Sequence, residues 1–91
     1  MHISIEYGTQ VRPAGGIRAE TVEVRDGTTA AELLKQLVES RSESLSVWFT
    51  DDGRPRPGLL IFVNDQTPPS LESTQLRSGD QVALMTLVSG G

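Results

Sequence analysis

The chain has 91 residues, a net charge of −4 and no cysteine, which predicts one small domain with a single core. Without cysteine it has no disulfide, no thiolate nucleophile and no cysteine-ligated metal site. Its basic residues are scattered, the first residues lack the segments of a signal peptide, and the longest apolar run, residues 59–63, is too short to cross a bilayer. We therefore predict a soluble cytoplasmic protein that binds neither nucleic acid nor membrane.

Two strands are predicted before the helix. Residues 2–7, HISIEY, place Ile3, Ile5 and Tyr7 on one side, which is typical of a half-buried strand. Residues 19–24, AETVEV, form the second strand, which ends before the turn signal Asp26-Gly27. The two runs are close enough in sequence to pair as a hairpin with a wide loop.

One helix follows. Thr29 and Glu32 have the spacing of a capping box, in which each side chain satisfies a free N–H at the helix start. The helix should fade near residues 40–44, and residues 45–58 are expected to be irregular because of their glycine and prolines. An apolar stripe at helical spacing predicts the face that packs on the core: Ala30, Leu33, Leu34, Leu37 and Val38.

The last two strands are predicted over residues 59–63 (LLIFV) and 82–88 (VALMTLV), with a tight turn at Asn64-Asp65. The order is ββαββ, and the strongly apolar first and last strands are expected to lie side by side and parallel in the sheet centre. A mixed sheet packed on one helix is the α+β architecture called the β-grasp. We predict this domain over residues 1–88 and a flexible tail over residues 89–91.

The strand alternation also predicts an apolar patch on the face that the helix leaves open. If Val82 and Leu84 point to the helix, the side chains that point away are Leu60, Phe62, Ala83, Met85 and Leu87. Exposed patches of this kind usually mark interfaces, so we expect these residues, with Val88 and Ser89, to bind a partner. A register shifted by one residue would instead bury them in the core.

Side chains that could carry catalysis are sparse. His2 is the only histidine, so neither a catalytic triad nor a pair of metal-ligating histidines can form, and a surface role is expected for it. Asp51-Asp52 lies in a Gly/Pro segment, where adjacent carboxylates more often cap a turn. Gly15-Gly16 lacks the further glycines of a phosphate-binding loop. We predict no catalytic residue and no metal site.

The pair Gly90-Gly91 is the remaining candidate. With glycine at about 7% of average composition, two glycines at a given place occur by chance in about 0.5% of chains. Glycine has no Cβ, so such a backbone can enter a channel too narrow for other residues. The pair is therefore either an incidental tail or a reactive arm that ends in the Gly91 carboxylate.

The ordered set TTAAELLKQL, DDGRPRPGLLIFVND, SGDQV and GG resembles the ubiquitin-like sulfur carrier proteins, which include the small subunit of molybdopterin synthase and the thiamine-pathway carrier. Within that family the chain is most similar to the carriers that serve cysteine synthases. The lead-in Thr86-Leu87-Val88-Ser89 departs from the Pro-Ala-Val-Ala type usual in that subgroup, so the final sulfur acceptor stays open.

The resemblance implies a carrier without its own catalytic site or bound cofactor. An E1-like enzyme, using ATP and magnesium, would adenylate the Gly91 carboxylate. A sulfur donor protein would replace AMP and leave a thiocarboxylate for a sulfur-accepting synthase. Two alternatives remain: a ubiquitin-like modifier joined through Gly91 to target lysines, and a plain β-grasp binding module with an incidental tail.

Overall fold

The computed structural model describes residues 1–8, 11, 18–40 and 45–86. Its elements, in chain order, are strand β1 (His2–Tyr7), strand β2 (Ala19–Glu23), helix α1 (Ala30–Ser40), a short 3-10 turn (Ser46–Trp48), strand β3 (Leu59–Val63) and strand β4 (Gln81–Thr86). No helix within these ranges is long and apolar enough to cross a membrane.

The four strands form one mixed sheet in the order β2-β1-β4-β3. Strand β1 pairs antiparallel with β2 and parallel with β4, and β3 pairs antiparallel with β4. The parallel pair needs a long crossover connection, and α1 lies within it. The predicted α+β fold and the central parallel pair of first and last strands are therefore confirmed.

The core lies between the sheet and α1. Every other residue of β1, β3 and β4 faces inward, as expected from the two-residue period of a strand. These side chains join the apolar stripe of the helix in one buried cluster whose least exposed large members are Ile3, Ile5, Val11, Leu33, Leu34, Leu37, Leu45, Val82 and Leu84. Val38, the last residue of the predicted stripe, is only partly buried but packs against this cluster.

The start of α1 is held by the segment between β3 and β4 as well as by its own cap. The first N–H groups of a helix have no partner within it. Here the Ala30 N–H donates to the Thr74 carbonyl at 2.8 Å, and the Ala31 N–H donates to the Leu71 carbonyl at 3.0 Å. The Glu32 N–H donates to the Thr29 hydroxyl at 3.2 Å. The predicted capping box therefore forms, and the helix is docked on the β3–β4 connection.

The capping box makes helix stability depend on pH. The Glu32 carboxylate accepts hydrogen bonds from the Thr29 backbone N–H at 2.9 Å and the Thr29 hydroxyl at 3.1 Å, and these bonds lower the pKa of Glu32. A carboxylate whose pKa is lower in the folded state stabilises the fold at pH values above its unfolded-state pKa. This stabilisation is lost as the pH falls through its folded-state pKa. We expect an NMR titration of Glu32 to give a lower pKa in the folded chain than in the urea-unfolded chain.

The variant Glu32→Gln provides the matching stability test. Glutamine still caps the helix but carries no charge. We expect the free energy of unfolding of this variant to differ from that of the wild type at neutral pH. The difference should disappear once the pH is below the pKa of Glu32 in the folded protein. Equal pKa values for Glu32 in the folded and the unfolded chain would show that the capping bonds do not form in solution.

Element ends differ slightly from the prediction. Strand β2 ends at Glu23, although Val24 still exchanges hydrogen bonds with Met1, at 2.8 and 2.9 Å. Strand β4 begins one residue earlier than predicted, at Gln81, and residues 87–88 lie outside the described ranges. The segment predicted to be irregular contains the 3-10 turn, which leaves Val47 63% exposed between the buried Leu45 and Phe49. Hydrophobicity alone did not indicate that turn.

The tight turn after β3 forms as predicted. Asn64 and Asp65 have φ values of 51° and 66°, which match the left-handed central residues of a two-residue hairpin turn. The Asn64 amide also donates to the Asp80 carboxylate at 3.0 Å, and its oxygen accepts the Gln81 N–H at 3.0 Å. The same turn therefore holds the start of β4.

Candidate partner-binding site

Strands β3 and β4 present two different faces. On the helix side Leu59, Ile61, Val82 and Leu84 are at most 8% exposed. The residues between them are partly exposed on the other side of the sheet, which carries no helix in the described part of the chain. The register shifted by one residue, which would bury these outer side chains, is therefore excluded.

The outer side chains of β3 and β4 form a compact group. Leu60 lies directly opposite Met85, and Phe62 lies directly opposite Ala83. The Cβ atoms of such cross-strand pairs are about 5 Å apart, which is close enough for the side chains to interact. These four residues, called the apolar patch from here on, offer a continuous hydrophobic surface. That they bind a partner stays a prediction.

Gly8 shapes one border of the apolar patch. Its N–H donates to the Leu84 carbonyl at 2.8 Å, which continues the β1–β4 ladder one residue beyond β1. A Cβ on Gly8 would lie 2.9 Å from Cγ of Met85 and 3.5 Å from its sulfur. The missing side chain therefore lets Met85 lie against the backbone of Gly8. Sequence reasoning missed this contact because it joins residues far apart in the chain.

The apolar patch lies next to the point where the described chain stops. Thr86, the last residue of β4, is paired with Leu59 and immediately follows Met85. The predicted interface residues Leu87, Val88 and Ser89 and the predicted reactive residues Gly90 and Gly91 lie outside the described residues, as does Gly15-Gly16. The part of the predicted site that can be placed is thus the patch itself.

The other polar candidates are surface features. His2 is exposed on β1, and its Nε2 lies 3.9 Å from the Glu23 carboxylate across the sheet, a contact of little energetic weight at the surface. Asp51 and Asp52 occupy an exposed turn closed by the Thr50 N–H bond to the Arg54 carbonyl at 2.7 Å. In the described ranges, no three acidic or histidine side chains are grouped so that they could hold a metal ion.

Comparison with known families settles the relationship of the chain. Residues 5–91 match the ThiS family. The chain belongs to the ThiS family. It is also 26% identical over 91 residues to the molybdopterin synthase sulfur carrier subunit of Chlamydomonas reinhardtii, with all of both chains covered. These findings confirm the predicted resemblance to the sulfur carriers.

Solved structures share the fold of this ThiS family member. SAMP1 from Haloferax volcanii superposes with a TM-score of 0.84 at 25% identity, with all of both chains covered. A chain from the BexX/CysO complex of Amycolatopsis orientalis gives a TM-score of 0.73 at 18% identity and covers 98% of this chain and 99% of that one. The ubiquitin-like β-grasp is thus confirmed, and the second neighbour was solved in a protein–protein complex. Assignment to the cysteine-synthase subgroup stays a prediction.

Proposed function

We propose that the protein is a sulfur carrier whose Gly91 carboxylate is loaded and unloaded by partner proteins in the cytoplasm. The observation that carries this proposal is the match to the ThiS family over residues 5–91. It is supported by a sulfur carrier subunit that aligns with the whole chain. The apolar patch beside the end of β4 supplies a surface on which an activating enzyme can dock.

The proposed cycle begins at Gly91. Its carboxylate oxygen attacks the α-phosphorus of ATP on an E1-like enzyme, with magnesium neutralising the phosphates, and pyrophosphate leaves. A sulfur at the oxidation level of sulfide, supplied by a donor protein, then attacks the acyl carbon; the bond to AMP breaks, AMP leaves and a thiocarboxylate remains. In a sulfur-accepting synthase the thiocarboxylate sulfur displaces a leaving group of the acceptor and forms a thioester. Water then cleaves the acyl–sulfur bond, which leaves the sulfur on the acceptor and regenerates the carboxylate. ATP and magnesium belong to the enzyme, and the carrier itself binds no cofactor.

Within this proposal the fold has two tasks. Helix α1 and the inner face of the sheet form the core that holds β3 and β4 in place. The outer face of the same two strands presents the apolar patch, whose partly exposed side chains can be buried by a partner. The fold thus supplies recognition, and the reacting group comes from the C-terminal glycine.

A second function is favoured by one observation. The neighbour SAMP1 is named small archaeal modifier protein 1, and its structure is similar along the whole chain. A modifier would use the same adenylated Gly91 but pass it to a lysine amine of a target protein. The two functions share the activation step and differ in what becomes attached to the glycine.

Intact-mass spectrometry of the protein from its native cell tests the proposal. A thiocarboxylate adds about 16 mass units, a shift that methionine oxidation also produces. The chain contains no cysteine, so a thiol-directed alkylating reagent can modify the thiocarboxylate, whereas an oxidised methionine cannot react. We expect the shifted species to take up one alkyl group and to be absent from a variant that lacks Gly91.

Other results would favour the alternatives. Species of much higher mass, joined through Gly91 to lysines of other proteins, would support the modifier. If neither species appears and a variant without Gly90 and Gly91 keeps the native phenotype, the protein is a binding module. Conjugates in the absence of the alkylated species, or the second outcome, would contradict the sulfur carrier.

A further inference from the structure

The open face of the sheet is divided by polarity. The apolar patch covers its β3–β4 half. The β1–β2 half, by contrast, carries polar and charged residues, with alanine as the exception. These outward-facing residues are His2, Ser4, Glu6, Ala19, Thr21 and Glu23. A partner that covers the whole face therefore has to match a hydrophobic half and an acidic half.

Glu6 stands at the boundary between the two halves. It lies in register with Ala83 of the apolar patch on one side and with Ala19 of β2 on the other. Adjacent strands are about 4.8 Å apart, so the Glu6 side chain lies directly beside the patch. Both neighbours are alanines, so no bulky side chain lies directly beside Glu6 on either adjacent strand.

The carboxylate of Glu6 is also available. Its side chain is exposed, and it forms no hydrogen bond or ion pair with the described residues. By contrast, Glu23, on the same face, lies 3.9 Å from His2. A free carboxylate that borders a hydrophobic surface favours a ligand group with an apolar stem and a positive head, which describes arginine and lysine side chains.

We infer that Glu6 pairs with an arginine or lysine of the activating enzyme, whose aliphatic stem lies across Ala83 on the apolar patch. This inference rests on the proposed function and adds the chemistry by which the enzyme recognises its carrier. Opposite charges across an interface speed association, whereas a partner with like charge at the same place is repelled. Glu6 is thus a specificity-determining residue outside the reacting tail.

The test compares charge changes at Glu6 with the same changes on the other side of the protein. Glu39 is an exposed residue of α1, which covers the opposite face of the sheet. Glu39→Gln and Glu39→Arg therefore change the net charge in the same way as Glu6→Gln and Glu6→Arg. Adenylation is measured with the E1-like enzyme of the same organism, at low and at moderate salt.

We expect Glu6→Arg to raise KM for the carrier about tenfold or more at low salt, with kcat unchanged, because the change acts on association. Glu6→Gln should have a smaller effect in the same direction and should weaken the salt dependence of kcat/KM. Both Glu39 variants should stay within about twofold of wild type. A charge reversal at the matching arginine or lysine of the enzyme should restore adenylation of Glu6→Arg.

Two results would overturn the inference, and they are distinguishable. If the wild type is adenylated but the Glu6 and Glu39 variants behave alike, Glu6 does not contact the enzyme, while the proposed function stands. If the wild type itself is not adenylated, the proposed function fails and the inference fails with it. Circular dichroism of each variant checks the fold, and the neutral Glu6→Gln variant keeps the test valid should Glu6→Arg unfold.

Discussion

Removal of Gly90 and Gly91 is expected to abolish formation of the acyl-adenylate. Each extended residue spans about 3.5 Å, so the shortened chain would present its terminal carboxylate about 7 Å short of the reacting phosphorus. A gap of this size removes the near-attack geometry on which the reaction depends. ATP–pyrophosphate exchange by the E1-like enzyme, measured with the shortened carrier, should fall to the level seen without carrier.

Two controls separate the role of the tail from the role of the fold. The shortened chain keeps all core residues of the described structure, so its unfolding midpoint should match the wild type. It should also still form a complex with the enzyme through the apolar patch. Replacing both glycines by alanine keeps the length but adds Cβ atoms, and we expect this variant to react slowly. Exchange at the wild-type rate by the shortened carrier would contradict the proposed role of Gly91.

Phe62→Asp is expected to lower kcat/KM for adenylation about 30-fold or more, the effect of losing about 2 kcal/mol at an interface hot spot. Phe62 lies opposite Ala83 in the apolar patch, where an aspartate would put an unpaired charge against the enzyme. The fold should persist because the Phe62 side chain lies on the open face. Adenylation kinetics and urea unfolding of the same variant measure the two effects.

Two other positions supply the controls for Phe62→Asp. Gln36→Asp introduces the same charge on α1, on the opposite side of the sheet from the apolar patch, where Gln36 is exposed, and should leave kcat/KM nearly unchanged. Ile61→Asp alters a residue that is only 8% exposed, and should prevent folding because it buries an unpaired charge. If Phe62→Asp unfolds the chain, the assignment of faces is wrong. If it folds and is adenylated normally, the apolar patch is not the docking site.

Much of the fold could be predicted because its signals are local. The capping box needs only Thr29 and Glu32, three residues apart, and both of its backbone bonds form. Strand β3 has the predicted ends, because an apolar run followed by Asn64-Asp65 fixes both the strand and its turn. The faces of β3 and β4 follow from simple alternation once one inward residue is assigned.

The remaining features depend on contacts between distant parts of the chain. The approach of Met85 to Gly8 and the position of Glu6 beside Ala83 both require the register of β1 against β4, which strand alternation alone does not fix. The docking of Ala30 on the Thr74 carbonyl depends on how the β3–β4 connection folds back. The sequence thus predicted the apolar half of the open face and missed how its acidic neighbour is placed.

The parallel pairing of β1 with β4 also has a consequence for when the protein becomes usable. This pairing joins Ser4 to Gln81, near opposite ends of the chain, and such distant contacts carry a large entropic cost of loop closure. The positions of Glu6 beside Ala83 and of Gly8 against Met85 exist only after that closure. Under the proposed function, an activating enzyme that binds across the β1–β4 junction therefore adenylates folded chains in preference to incompletely folded ones.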